Sequence, residues 1–245
     1  MTKRRVIITI DGLAASGKSA ISKLLAERLG YVHLSSGAIY RALGLLIYRS
    51  GADPADLPTV MRLLEENTIG LVEHGRSGSK VLLNGADPGE QLYEPEVSNA
   101  TSISSAHPEV RAKLLPLQQE CFPERGLVAE GRDMGTVVFP DADIKFFIQA
   151  AADIRAQRRL SQLYGQNSAA QDVKSLKEKI EMEINERDRR DSKRAVSPTV
   201  AAEGAIIVDN SAKTLTEVVE NMYHFVSDLG SSPIGNSDKE GKKLV

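Results

Sequence analysis

Short β-branched runs alternate with helix-periodic stretches along most of this chain. Val6-Ile-Ile-Thr-Ile10 predicts a buried strand, and a glycine-bearing turn follows it. Ile21, Leu24, Leu25 and Leu29 then share one face of a helix from about Gly17 to Leu29. Tyr31 to Leu34 predicts a second strand, and Ser36 is expected to cap a helix to about Tyr48 that turns Ile39, Leu43, Leu46 and Ile47 inward. From Gly51 to Asn99 the pattern changes: Asp53-Pro and Asp56-Leu-Pro mark loops, and Ile69 to Glu73 and Lys80 to Leu83 predict an antiparallel pair joined by Gly75-Arg-Ser-Gly78. Leu127-Val-Ala, Asp143 to Ile148 and Ala205 to Val208 return as buried strands, with helices over Ala152 to Tyr164, about Val173 to Asp191, and Thr214 to about Val226.

That alternation predicts an α/β fold with a mainly parallel, helix-covered five-stranded sheet and an insertion between its second and third strands. The polar stretch Gly165 to Val173 is expected to form a mobile hairpin or lid, of the kind that closes over substrate in many transferases. Gly230 to Val245, rich in Gly, Ser, Lys and Asp, is expected to be a flexible tail.

The chain has 245 residues, 41% of them hydrophobic and 26% charged, an ordinary globular balance. A net charge of −2 offers no global attraction for nucleic acid or an acidic membrane, so anion binding is expected only in a cleft. The single cysteine, Cys121, can form no internal disulfide, which fits a reducing compartment; its alternative reading is a small buried apolar residue. The histidines show no metal-ligand spacing. The apolar run behind the basic start lasts only from Val6 to Ile10, too short for a signal segment, and no stretch approaches the roughly 20 apolar residues of a membrane span. A cytoplasmic enzyme is the expectation.

Gly12-Leu13-Ala14-Ala15-Ser16-Gly17-Lys18-Ser19 matches G-x-x-x-x-G-K-[ST] at every fixed position and lies between a predicted strand and helix. Such a loop turns backbone N–H groups toward phosphate oxygens, the helix N-terminus adds partial positive charge, Lys18 reaches the β and γ phosphates, and Ser19 offers its hydroxyl to Mg²⁺. The motif does not by itself separate kinases from GTPases and motors. The chain has no Asn-Lys-x-Asp and no hydrophobic run ending in Asp-Glu.

It has instead a high density of arginines. Arg41, one turn into its helix, is a candidate clamp for an acceptor phosphate, or a surface charge. Arg132 and Asp133, between glycines after a buried strand, sit where side chains are presented at a sheet's C-terminal edge, or form a loop ion pair. On the long helix the apolar stripe Val173, Leu176, Ile180, Ile184 continues in phase into Arg187, Asp191 and Arg194. These three are expected to face a polar cleft, with a structural ion-pair cluster as the alternative. Arg155, Arg158 and Arg159 are spaced to share a helix face and form the other wall of a lid, or a solvated charge run.

Taken together, Ser36-Gly-Ala-Ile-Tyr-Arg41, Glu130-Gly-Arg-Asp-Met-Gly-Thr-Val-Val-Phe-Pro140 and Glu186-Arg-Asp-x-Arg-Asp-Ser-x-Arg-Ala-Val-Ser-Pro198 resemble the bacterial-type cytidylate kinases of the nucleoside monophosphate kinase superfamily, from about Val6 to Gly230. The resemblance implies a P-loop NTPase fold over 1–230, with core segments 1–35, 107–150 and 200–230, a monophosphate-binding region at about 36–106, a lid at about 155–195 and a tail at 231–245. It implies ATP phosphates on Gly12 to Ala20 with Arg158 beside them, and the acceptor phosphate on Arg41 and Arg132 within a pocket that includes Ser36 and Tyr40. It also implies the cytosine edge on Ser102, Arg111 and Asp133, and the rest of the acceptor pocket on Arg187, Asp191 and Arg194. Lys18, Arg132, Arg155 and Arg159 would act on the transferring phosphoryl. Substrates would be ATP with Mg²⁺ and CMP or dCMP, and the chain would be a monomer. This chain has Ser35 where the family often has an acidic residue and Leu13 where proline is common.

An acceptor that is already an anionic oxygen needs no covalent help; the difficulty is bringing two polyanions together. Direct in-line transfer is therefore expected. The rival readings are a kinase for uridylate, adenylate or a metabolite hydroxyl, with Asp133 or Asp191 as base, and a nucleotide-switch protein.

Overall fold

The computed structural model describes residues 5–164, 173–231 and 243–244. Parallel strands β1 (Ile7–Gly12), β2 (Val32–Ser35), β5 (Leu127–Glu130), β6 (Ile144–Gln149) and β7 (Ile206–Asp209) are the five expected from the sequence. They lie in the order β2-β5-β1-β6-β7, and a sixth strand of two residues, β8 (Lys243–Leu244), pairs parallel with β7. Those two residues were expected in a flexible tail; they add backbone pairing to the sheet edge, while 232–242 and Val245 lie outside the described residues.

The strands are buried on both faces, so their side chains divide between two cores. Val128, Ile8, Ile10 and Phe146 pack with Ile21 and Leu25 of α1 (Lys18–Leu29) and with Val218 and Met222 of α8 (Leu215–Ser231). Leu127, Ala129, Val32 and Leu34 pack on the other face against Ile39, Leu43 and Leu46 of α2 (Ser36–Ser50). Each fully buried aliphatic side chain contributes roughly 1.5–3 kcal/mol. Leu24, expected inward, is 37% exposed, because the apolar seam of α1 narrows to Ile21 and Leu25.

The loop expected at Asp56-Leu-Pro opens α3 (Leu57–Glu66); Pro58 suits a first helical turn, whose N–H groups have no intrahelical acceptor. β3 (Ile69–His74) and β4 (Gly78–Leu83) form the expected antiparallel pair. Ser77 and Ser79 tie it to His33 of β2, through His33 N–H to Ser77 O at 2.8 Å and Ser79 Oγ to His33 O at 2.6 Å. Two further helices, α4 (Pro95–Ser104) and α5 (Pro108–Gln119), were not read from the sequence. Helix α4 crosses α2 at Gly44, where an added Cβ would come within 2.2 Å of Thr101 Oγ1 and 2.8 Å of the Val97 carbonyl.

Ser36 does not cap α2: it is the first helical residue, no side chain caps that end, and its hydroxyl donates to Gln118 Oε1 at 2.7 Å. Helix α6 (Ala152–Tyr164) matches its expected span, and α7 (Val173–Ser192) ends one residue beyond it. The intervening hairpin expectation falls on 165–172, outside the described residues. Among the described residues no helix is long and apolar enough to cross a membrane.

Candidate active site

The loop after β1 is fixed by its backbone. Gly12 pairs with Ile148 of β6 at φ 153°, and an added Cβ would sit 2.2 Å from the Ile148 carbonyl oxygen, so only glycine lets the chain leave the sheet here. Ala15 at φ 56° and Gly17 at φ 89° complete the turn into α1. From outside, Asn210 Nδ2 donates to the Ser16 carbonyl at 2.6 Å, and Arg158 donates to the same carbonyl at 3.3 Å and to Asn210 O at 2.8 Å. The Ser16 hydroxyl is fully buried and has no partner.

Lys18 is 6% exposed and donates from Nζ to the Leu13 carbonyl at 3.1 Å. Burial lowers its pKa to about 7, and the charges of Arg132, Arg187 and Arg41 push the same way against Glu130. Arg132, Arg187 and Arg41, expected around the acceptor, therefore lie within electrostatic reach of Lys18. Arg187 itself is lowered to about 9 by burial and by Arg132 and Arg41. Arg41, also lowered by burial, stacks over Tyr93 with its guanidinium carbon 5.3 Å from the ring centroid, and Arg159 adds to the positive field there. Lys18, Arg41, Arg132 and Arg187 outnumber the acids nearest them, Glu130 and Asp191, an excess of positive charge that favours an anion.

Two acids organise the arginines. Asp191, 2% exposed, accepts from Arg132 Nε at 3.0 Å and from Arg194 Nη2 at 2.5 Å, with Arg187 Nε 4.0 Å away. Burial would raise its pKa, but Arg132, Arg194 and Arg187 outweigh it and hold the carboxyl below the usual range. Asp133 pairs with buried Arg111, whose guanidinium lies 5.1 Å from the Tyr40 ring centroid and donates to Ser105 O at 3.2 Å. Ser105 joins the two groups, since its hydroxyl accepts from Arg194 at 3.0 Å. One turn back on α4, the Ser102 hydroxyl is buried with no partner. A pocket of about 170 Å³ opens beside Tyr40, Arg111, Gln118 and Asp133.

Three acids here were not anticipated from the sequence. Glu130, at the end of β5, accepts from Ser19 Oγ at 3.1 Å and Ser35 Oγ at 2.6 Å. Burial would raise its pKa, but Lys18, His33, the Ser35 hydroxyl and Arg132 together hold it below normal. Asp11 accepts the backbone N–H groups of Met134 and Gly135, each at 2.8 Å, shaping the turn after Asp133; burial lifts its pKa to about 6. Asp188 bonds both the phosphate loop and Arg155. Its signal was its place between Arg187 and Asp191, and that of Glu130 and Asp11 was an acid directly after a β-branched or apolar strand.

Arg155, expected over the transferring phosphoryl, and Arg158, expected beside the ATP phosphates, donate to the phosphate loop's own backbone, at the Ala14 and Ser16 carbonyls that face α6. Ala20, the last of the loop residues, is exposed. Burial lowers the pKa of His33, which meets Ser22 Oγ at 3.0 Å, and Cys121 is buried with its thiol donating to Gln118 O at 3.0 Å. Both are structural.

The donor set fits a Mg²⁺ shared with phosphate oxygens: Ser19 supplies a hard hydroxyl oxygen beside an ionised Glu130. Among the described residues no three His, Cys, Asp or Glu side chains could hold a metal by themselves.

A P-loop between strand and helix in a parallel sheet, facing a cleft of arginines, defines a phosphotransferase of the P-loop kinase class. The cytidylate kinase family profile matches residues 8–228. A cytidylate kinase of Marinomonas sp. is 41% identical over 230 residues, covering 94% of this chain and 99% of that protein. One from Chlorobaculum tepidum is 40% identical over 93% of this chain and 95% of its own length. A bifunctional pantoate ligase/cytidylate kinase of Synechococcus sp. is 41% identical over 91% of this chain, which spans 45% of that longer protein. This chain belongs to the cytidylate kinase family.

Proposed function

We propose that the protein transfers the γ-phosphoryl group of ATP directly to CMP or dCMP. The observation that carries this reading is a phosphate loop whose buried Lys18 lies within electrostatic reach of Arg132, Arg187 and Arg41, the first two of them gathered at Asp191. Such a group holds two polyanions in contact and neutralises charge that spreads in the transition state. Gly12 to Ser19 cradle the triphosphate, Arg41 and Arg132 hold the acceptor phosphate, and Arg187 and Arg159 complete the positive wall. Bound Mg²⁺ supplies further neutralisation of the triphosphate, and Ser19, steadied by Glu130, is the side chain placed to hold it.

Base selection falls to the buried Ser102 hydroxyl and the Arg111–Asp133 pair, whose polar edges match the amide-like edge of cytosine. With the wrong base the buried Ser102 hydroxyl would stay unpaired, a penalty that discriminates strongly. Residues at about 36–106 serve as the monophosphate-binding region and about 155–195 as the lid of a monomeric, cytoplasmic enzyme. The test is to incubate the pure protein with MgATP and each monophosphate and follow ADP. Brisk turnover restricted to CMP and dCMP supports the reading; turnover with AMP, or hydrolysis indifferent to acceptor, overturns it.

A further inference from the structure

Asp188 sits on α7 between two residues of the acceptor cleft, Arg187 and Asp191, yet its carboxylate points the other way. Its Oδ1 accepts the Ala14 N–H at 3.0 Å and its Oδ2 accepts from Arg155, which also donates to the Ala14 carbonyl at 3.0 Å. One residue of the phosphate loop, Ala14, is thus gripped at its N–H by α7 and at its carbonyl by α6. Arg155 is buried and the Asp188 side chain is 14% exposed, so water competes little for these bonds. A second observation agrees: Ala14 packs in one apolar cluster with Ala156 and Leu160 of α6 and Ile180 and Ile184 of α7. The phosphate loop and the helix that carries the acceptor-cleft charges are therefore joined by both polar and apolar contacts. A shift of either must be felt by the other, because α7 is a rigid rod and its residues 187, 188 and 191 cannot move independently.

From this we infer that Asp188 is a positioning residue which couples the two substrate sites, so that filling the phosphate loop tightens the acceptor cleft and the reverse. The inference rests on the kinase reading above and adds to it a route between the sites. It makes Arg155 a partner of Asp188 in the latch before it is anything else. By linkage the coupling is reciprocal: the factor by which a triphosphate improves monophosphate binding equals the factor in the other direction.

The test is a titration of CMP into the whole protein, with and without a saturating non-hydrolysable ATP analogue and Mg²⁺, for wild type, Asp188→Asn and Arg155→Lys. Asn keeps an acceptor for the Ala14 N–H but turns an amide donor toward the Arg155 guanidinium. The expected result is a coupling factor of at least about fivefold in wild type. It should fall below about twofold in both variants, with CMP binding to the unliganded protein changed much less and kcat lowered more than the KM for CMP is raised. A purely structural pair would lower the melting temperature and leave the coupling factor intact; that result, or no coupling in wild type, overturns the inference. Should either variant fail to fold, the double replacement Arg155→Met with Asp188→Leu leaves no unpaired buried charge and carries the same measurement. Failure of the kinase reading is separable, since it shows as absent CMP turnover in wild type.

Discussion

Arg132 donates from Nε to the Oδ2 of Asp191 at 3.0 Å, joining the loop after β5 to the end of α7 across 59 residues of chain. Through this bond, and the one from Arg194, a single carboxylate keeps three arginines gathered in one cleft. It balances only part of their charge, which leaves attraction for an anionic ligand.

Asp191→Asn is expected to loosen that gathering. Breaking a buried, hydrogen-bonded charge group costs about 3–5 kcal/mol when a partner is removed, and Asn, which keeps one acceptor, should fall at or below the lower end. CMP binding should weaken at the same time. Because the folded carboxyl titrates below its unfolded value, its stabilising contribution is present at neutral pH and lost as pH falls below about 4, through the depressed folded value. Urea melts from pH 3 to 7 should show that loss in wild type and a flatter profile in the variant. An unchanged CMP affinity would leave Asp191 a structural group only.

Lys18→Met should lower kcat by about 10²- to 10³-fold or more without altering the circular dichroism of the fold. Its folded pKa of about 7 lies below the ordinary 10.5, so between those values the native chain binds fewer protons than the unfolded one. Stability attributable to Lys18 therefore rises with pH across that window, and the variant should lack the rise. A variant with near-normal turnover would contradict the phosphate-cradle assignment.

Gly44→Ala tests the close crossing of α2 and α4. The new methyl group would overlap Thr101 Oγ1 and the Val97 carbonyl, which only a shift of α4 can relieve. A loss of about 1–3 kcal/mol is expected, and, since α4 carries Ser102, a higher KM for CMP with the KM for ATP little changed. Thermal melts and steady-state kinetics measure both.

Ser35→Ala removes the shorter of two hydroxyl bonds to Glu130. Leaving that buried acceptor less satisfied should cost about 1–3 kcal/mol at pH 7. The Glu130 carboxyl should then titrate higher, so the stability difference should shrink on acidification toward pH 4. A pH series of melting temperatures checks the sign.

Much of this was legible because the signals were local. The strands announced themselves as β-branched runs, the phosphate loop as fixed spacing, and the charged end of α7 as a stripe that stayed in phase while changing character from Ile184 to Arg187 and Asp191. Helix α3 was hidden by Pro58, which read as a loop signal yet sits in a first helical turn, where proline is tolerated, and the unread helices α4 and α5 likewise open on Pro95 and Pro108. Partnerships such as Glu130 with Ser19 and Ser35, or Asp188 with Ala14 and Arg155, depend on which distant segments the sheet and helices bring together. No spacing along the chain encodes them. Arg155 shows the same limit: its helix phase was right, but whether it faced a ligand or a carboxylate was decided by α7.

The central strand has a consequence for synthesis on the ribosome. β1 finds its neighbours at Leu127–Glu130 and Ile144–Ile148, and none nearer in sequence. A nascent chain therefore carries Ile7 to Gly12 without its strand partners until Leu127–Glu130 has been translated. Because such distant pairings must close late and slowly, the interval is one of exposure to chaperones and to wrong partners, ended when β6 emerges and locks Gly12 beside Ile148.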